Sequence, residues 1–203
     1  MAAAVRGGGR AWVLLRGPSY VQEKQMSHQT ETSVDLVDAV RHQSREYTGG
    51  EDIPLRGYTK VLAGYSTLVT VAVIAAVVTG RRLPERLSGQ DLVVLALGTH
   101  KLSRTVTKDA VTSPIRAPFT RYKGQGGPAE VAEEVRGPSN SLRRSLGELL
   151  SCPFCFDMWV ATFFTIGMVF APRPTRLVAG LFAALAGADF LQFAYAKAQQ
   201  SVE

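Results

Sequence analysis

The apolar positions of this chain are gathered into blocks rather than spread along it. Residues 61–80, VLAGYSTLVTVAVIAAVVTG, carry no charge over twenty positions and are flanked by Lys60 and Arg81-Arg82. A helix of that length, at about 1.5 Å per residue, matches a hydrocarbon core of about 30 Å, and the flanking cations have stems long enough to reach the headgroups. Two further apolar runs, residues 155–171 and 177–195, are separated by Pro172-Arg-Pro-Thr-Arg176, which reads as a tight turn and predicts a helical hairpin. The fourth candidate, residues 90–106, is harder. Its Leu and Val residues supply about −2 to −4 kcal/mol on the insertion scale, while each of its cations costs about +2.5 to +3.5 kcal/mol near the centre. That segment spans only with its polar face against other helices; a helix lying in the interface is the competing reading.

Small residues at spacing four, Ala72, Ala76 and Gly80 in the first run and Gly180, Ala184 and Ala188 in the last, predict faces that let helices approach closely. Residues 1–57 are polar or Ala/Arg/Gly-rich and read as a disordered, soluble N-terminal tail. Its one apolar stretch, Ala11–Leu15, is too short for a secretory core, and Met26 is an alternative start. A short amphipathic stretch, Val34–Val40, follows a Thr32/Ser33 capping signal. The polar segment 107–150 reads as a loop: Pro114, Pro118 and Pro128 prevent one continuous helix, and only Ser141–Leu150 has an amphipathic helical pattern. The expected fold is an all-α integral membrane bundle of four helices, the second short and polar-faced.

Charge decides the orientation. The chain holds 23 Lys and Arg against 17 Asp and Glu, net +6. Four crossings with both termini in the cytoplasm put 18 of the cations inside and 5 outside, whereas three crossings give at best 13 and 10. The bias favours four. Arg104, Lys108, Arg116, Arg121 and Lys123, interleaved with Phe119 and Tyr122, then lie on the cytoplasmic side. Each cation near the surface contributes about 1 kcal/mol of attraction to anionic lipid, so this set is expected to face headgroups, a protein partner or a second copy. Nucleic acid is not an expected partner: the net charge is modest, and Gly124-Gln-Gly-Gly127 lacks the Lys-Ser/Thr that completes a phosphate loop.

Two features carry possible chemistry. Cys152-Pro-Phe-Cys155 places both cysteines of the chain where a helix is expected to begin, with Ser151 or Cys152 as its cap. Dithiol oxidoreductases use that arrangement, although in a βαβ setting that this sequence lacks. As a metal site the pair would need two more ligands from His28, His42, His100 or carboxylates. No metal or cofactor is expected. Asp189, about 4.5 Å past the middle of the last apolar run, lies at nearly the depth of His100 and Lys101. An acid there calls for a partner, so Asp189 with Lys101 or His100 is the expected intramembrane pair, structural or part of a proton or ion relay. Three scattered histidines suggest no nucleophile–His–acid arrangement, and a non-enzymatic envelope or assembly component is the favoured function.

The runs Leu97-Gly-Thr-His-Lys-Leu-Ser-Arg104, Thr107-Lys-Asp109, Val111-Thr-Ser-Pro-Ile-Arg-Ala-Pro-Phe119, Glu133-Glu-Val-Arg-Gly137 and Gly147-Glu-Leu-Leu-Ser-Cys-Pro-Phe-Cys155, with Trp159, resemble a family of small bacterial membrane proteins of unknown function. Some of its members, from spore-forming bacteria, are labelled sporulation proteins. The likeness covers about residues 58–195. It implies a multi-pass protein of the bacterial plasma membrane with a cytoplasmic loop, and it carries over no catalytic residue.

Overall fold

A computed structural model describes residues 37–49, 51, 53–84, 86–138 and 141–201. The expected tail over residues 1–36, including Met26 and the Thr32/Ser33 cap, lies outside them. Residues 37–48 form helix α1, which belongs to a separate unit from everything after Asp52.

The second unit is mostly helical. Helix α2 spans Leu55–Val78, α3 Gly89–Thr107, α6 Pro153–Phe170 and α7 Pro172–Gln200. Helices α2, α6 and α7 are long and apolar enough to cross a membrane. Leu62, Val71, Val73, Ile74, Val77 and Val78 of α2 stay exposed, as suits a helix whose solvent is lipid. α3 is a single helix of 19 residues, capped by the Ser88 side chain, which accepts from the Asp91 N–H at 3.0 Å. Hydrogen bonds and ion pairs fix directions. Arg176 meets Asp91 at 2.8 Å where α3 and α7 begin, so these two run parallel. Ser103, near the end of α3, donates to the Pro153 carbonyl at 2.7 Å where α6 begins, so these two are antiparallel. The Tyr65 ring stands edge-on to Trp159 at 5.3 Å, and Arg81 lies over the Phe170 ring, aligning α2 with α6. Ser103 is fully buried, and Ser103→Ala is expected to cost about 1–2 kcal/mol by leaving the carbonyl unmatched, read as a lower midpoint of thermal unfolding in detergent.

The residues that touch differ from the small-residue stripe on α7. Gly98 of α3 packs on Ala179, where an added Cβ would sit 2.7 Å from the Ala179 carbonyl oxygen; Gly180 and Gly187 have nothing within 4 Å of theirs. Ala179 and Ala186, seven apart, are the buried positions of α7, and Val160, Phe164 and Met168 are those of α6. Pro172–Arg176 is also not a turn. The break is Ala171 alone; Pro172 is the first residue of α7, because the first turn of a helix has no intrahelical acceptors for its N–H groups and a missing one costs nothing there.

The segment read as a loop is folded. After a short 3-10 turn, Ala110–Thr112, and helix α4, Ser113–Arg116, strands β1 (Thr120–Gln125) and β2 (Val131–Val135) form an antiparallel hairpin. Thr120 faces Val135 and Gln125 faces Val131, with a bulge between Tyr122 and Gly124. Helix α5, Leu142–Ser151, follows where an amphipathic helix is expected, with Ser141 as its cap. Gly147 of α5 lies so close to Phe119 and Val135 that a Cβ would come within 3.0 Å of the Phe119 carbonyl. The hairpin and α5 are thus pressed together into a polar cap at the ends of α3 and α6.

Candidate functional site

Arg116 organises the cap. Its side chain is completely buried, and all five of its N–H groups find acceptors. Nε and Nη2 donate to the two carboxylate oxygens of Glu133 at 2.8 and 3.2 Å; Nη1 donates to the Val106 carbonyl and Thr112 Oγ1, both at 2.7 Å; Nη2 also donates to the Asp109 carbonyl at 3.0 Å. One guanidinium therefore ties the end of α3, the 3-10 turn, α4 and β2 together. The expectation that Arg116 faces lipid or a partner is overturned. A cation read from sequence alone is assigned to the surface, but Glu133, the inward position of β2, offers the bidentate partner that makes burial tolerable.

The other basic residues vary. Arg104 Nε donates to Glu130 at 3.1 Å, and Lys123 lies 2.7 Å from Glu134, holding that carboxyl below the usual carboxylate range. Arg121 is exposed and Lys108 half-buried. Of the five cations expected to face outward, Arg104, Arg116 and Lys123 are matched by Glu130, Glu133 and Glu134.

A crevice of about 600 Å³ opens where the second half of α3, the second half of α7 and the hairpin turn meet. Lys101 Nζ stands 2.8 Å from Asp189 Oδ2 on one wall, and Arg104 is paired with Glu130 on another. The His100 ring stacks on Phe190 with centroids 6.4 Å apart, and Phe193, Ala186 and Ala196 complete an apolar side. Asp109 also lines it, and among the described residues its carboxylate takes part in no hydrogen bond or ion pair. The turn is held by the Gly126 N–H donating to the Glu130 carbonyl at 2.9 Å, with Ala129 at φ 61°. Besides His100, the crevice is lined by two cations, Lys101 and Arg104, and three carboxylates, Asp109, Glu130 and Asp189. Glu130, Glu133, Asp109 and Ser103 were not singled out from the sequence. For Glu130 and Glu133 the signal is the acidic run of residues 130–134 after the cations Arg116, Arg121 and Lys123, a pattern that announces pairing only once the chain is known to double back.

The cysteine pair sits where the cap pattern predicts. Cys152 caps α6, its Sγ accepting from the Cys155 N–H at 3.3 Å, with Pro153 as the first residue of the helix. Both thiols are free, Cys155 exposed and Cys152 half-buried. Among the described residues no three His, Cys, Asp or Glu side chains gather into a metal-binding group.

The family profile described as "Protein of unknown function (DUF1360)" matches residues 94–195, half of the chain. That stretch begins within α3 and runs through the cap to α7. The chain is 29% identical over 93 residues to sporulation protein YjcA of Bacillus subtilis (strain 168), covering 44% of this chain and 77% of that protein. It is 28% identical over 89 residues to UPF0713 protein YngL of the same organism, covering 44% of this chain and 65% of that one, just under two thirds of its length. No solved structure matches the chain.

Proposed function

We propose a function from one premise: the chain belongs to the DUF1360 family of proteins of unknown function. Its role is that of a non-enzymatic, multi-pass component of the bacterial cell envelope, with both termini in the cytoplasm and the folded cap of residues 108–151 as its docking module. Connectivity supports a reading of four crossings, although only α2, α6 and α7 are long and apolar enough by themselves. α2 and α6 run the same way, so the chain must return between them, and α3 is the one long helix available. The observation that carries the reading is the placement of the polar residues of α3. Ser103, Lys101 and Arg104 are each matched by a carbonyl or carboxylate from α6, α7 or the hairpin, which removes the insertion penalty that α3 would bear alone. The sporulation label of the YjcA protein is compatible with an envelope role, and it names no partner. Arg116 and Lys123 are already paired with Glu133 and Glu134, so docking is assigned to the exposed Arg121, Tyr122 and Leu142.

Single cysteines at Ser88, Gln125 and Pro174, in a Cys152→Ser/Cys155→Ser background, test the arrangement. A membrane-impermeant maleimide is expected to label positions 88 and 174 in intact cells or spheroplasts, and position 125 only after the membrane is opened. Labelling of position 125 together with 88 in intact cells would reject the four-crossing topology.

A further inference from the structure

The crevice between α3, α7 and the hairpin turn is more than a by-product of packing. It gathers both signs of charge: Lys101 paired with Asp189, Arg104 paired with Glu130, and Asp109, whose carboxylate has no partner among the described residues. Beside them, Phe190 and Phe193 project from α7 with most of their surface exposed, on a helix whose apolar face is built for lipid. We infer that this crevice binds the headgroup of a zwitterionic phospholipid bearing a primary ammonium, with its acyl chains laid along Phe190 and Phe193. The inference rests on the membrane reading above.

The chemistry selects this occupant. A purely anionic headgroup meets three carboxylates against two cations and is repelled by the surplus. A headgroup carrying both a phosphate and an ammonium offers acceptors to Arg104 and Lys101 and donors to Asp109, the carboxylate with no partner of its own. A quaternary ammonium carries no N–H and cannot give Asp109 a hydrogen bond. The primary amine is therefore distinguished from both alternatives by that one carboxylate. Depth also fits: the crevice lies at the cap end of α3, where the chain passes from apolar helix to polar hairpin, and a headgroup sits at that level of a bilayer.

The full chain, purified in detergent and stripped of lipid, is titrated with phosphatidylethanolamine, phosphatidylcholine and phosphatidylglycerol of identical acyl chains, and bound lipid is counted by native mass spectrometry. Phosphatidylethanolamine is expected to bind about tenfold more tightly than the other two. Asp109→Ala, which removes the acceptor altogether, is expected to bring phosphatidylethanolamine binding down to the level of phosphatidylcholine. Equal retention of all three headgroups, or an unchanged preference in Asp109→Ala, would overturn the inference. A chain that stays monodisperse without any detergent would instead sink the membrane reading, so the two failures are separable.

Discussion

Replacing Arg116 with Met is expected to unfold the cap while the membrane helices remain. The substitution removes five hydrogen bonds at once and leaves Glu133, itself almost fully buried, as an uncompensated charge among elements held together by that one guanidinium. Breaking one side of a buried ion pair costs about 3–5 kcal/mol, a large fraction of the stability of any small folded unit. The measurement is limited proteolysis of the protein in detergent or liposomes: new cleavage within residues 107–138 is expected, with α6 and α7 still protected. Adding Glu133→Leu should recover much of the loss, because the buried charge is then gone from both sides. If Arg116→Met alone leaves the protease pattern intact, the pair does not hold the cap.

The second large effect is expected at Gly98. A Val there would drive its Cβ to within 2.7 Å of the Ala179 carbonyl oxygen, and backbone on a packed helix cannot swing aside as a flexible side chain can. α3 must move away from α7, at a cost of about 1–3 kcal/mol. That movement also strains Lys101–Asp189, one turn further along α3. Thermal unfolding in detergent, followed by loss of the monodisperse peak in size exclusion, should show a midpoint lower by several degrees for Gly98→Val. Gly180→Val is the contrast: nothing stands within 4 Å of its Cβ position, and little change is expected. Equal effects at the two positions would mean that α3 and α7 pack through a different face.

The difference between those two glycines shows where reading from sequence stops. Spacing four marks Gly180, Ala184 and Ala188 as a stripe, but a small residue is an opportunity for close approach and not a contact. Which stripe is used depends on where α3 arrives, and α3 arrives on Ala179 and Ala186. The prolines after Ala171 fail for a related reason. They forbid a helix interior and fit a helix start equally well, and only the position of the break tells the two apart.

The hairpin was illegible because polar residues interrupt its inward face, where Glu133 stands between Val131 and Val135. Period-two alternation reveals a strand when alternate residues are apolar, and here the positions turned inward include Glu133 and Thr120. A charged residue in a core position has no sequence signature without its counter-ion, and Arg116 lies seventeen residues away across two turns of chain.

The sequence by itself determined the class of molecule. Twenty uncharged, mostly apolar residues in one run, and two more largely apolar blocks further along, point to a solvent without water. It also marked the start of α6, where Ser151 or Cys152 is expected to cap, because a cap is written within four residues. The tertiary structure alone decided which charges are surface and which are core, and it placed the unpartnered Asp109 beside Lys101, Arg104 and Asp189 in one crevice. Hydrophobicity is a property each residue carries with it, whereas the energy of a charge depends on what stands three ångströms away, and that neighbour is chosen only when the chain folds.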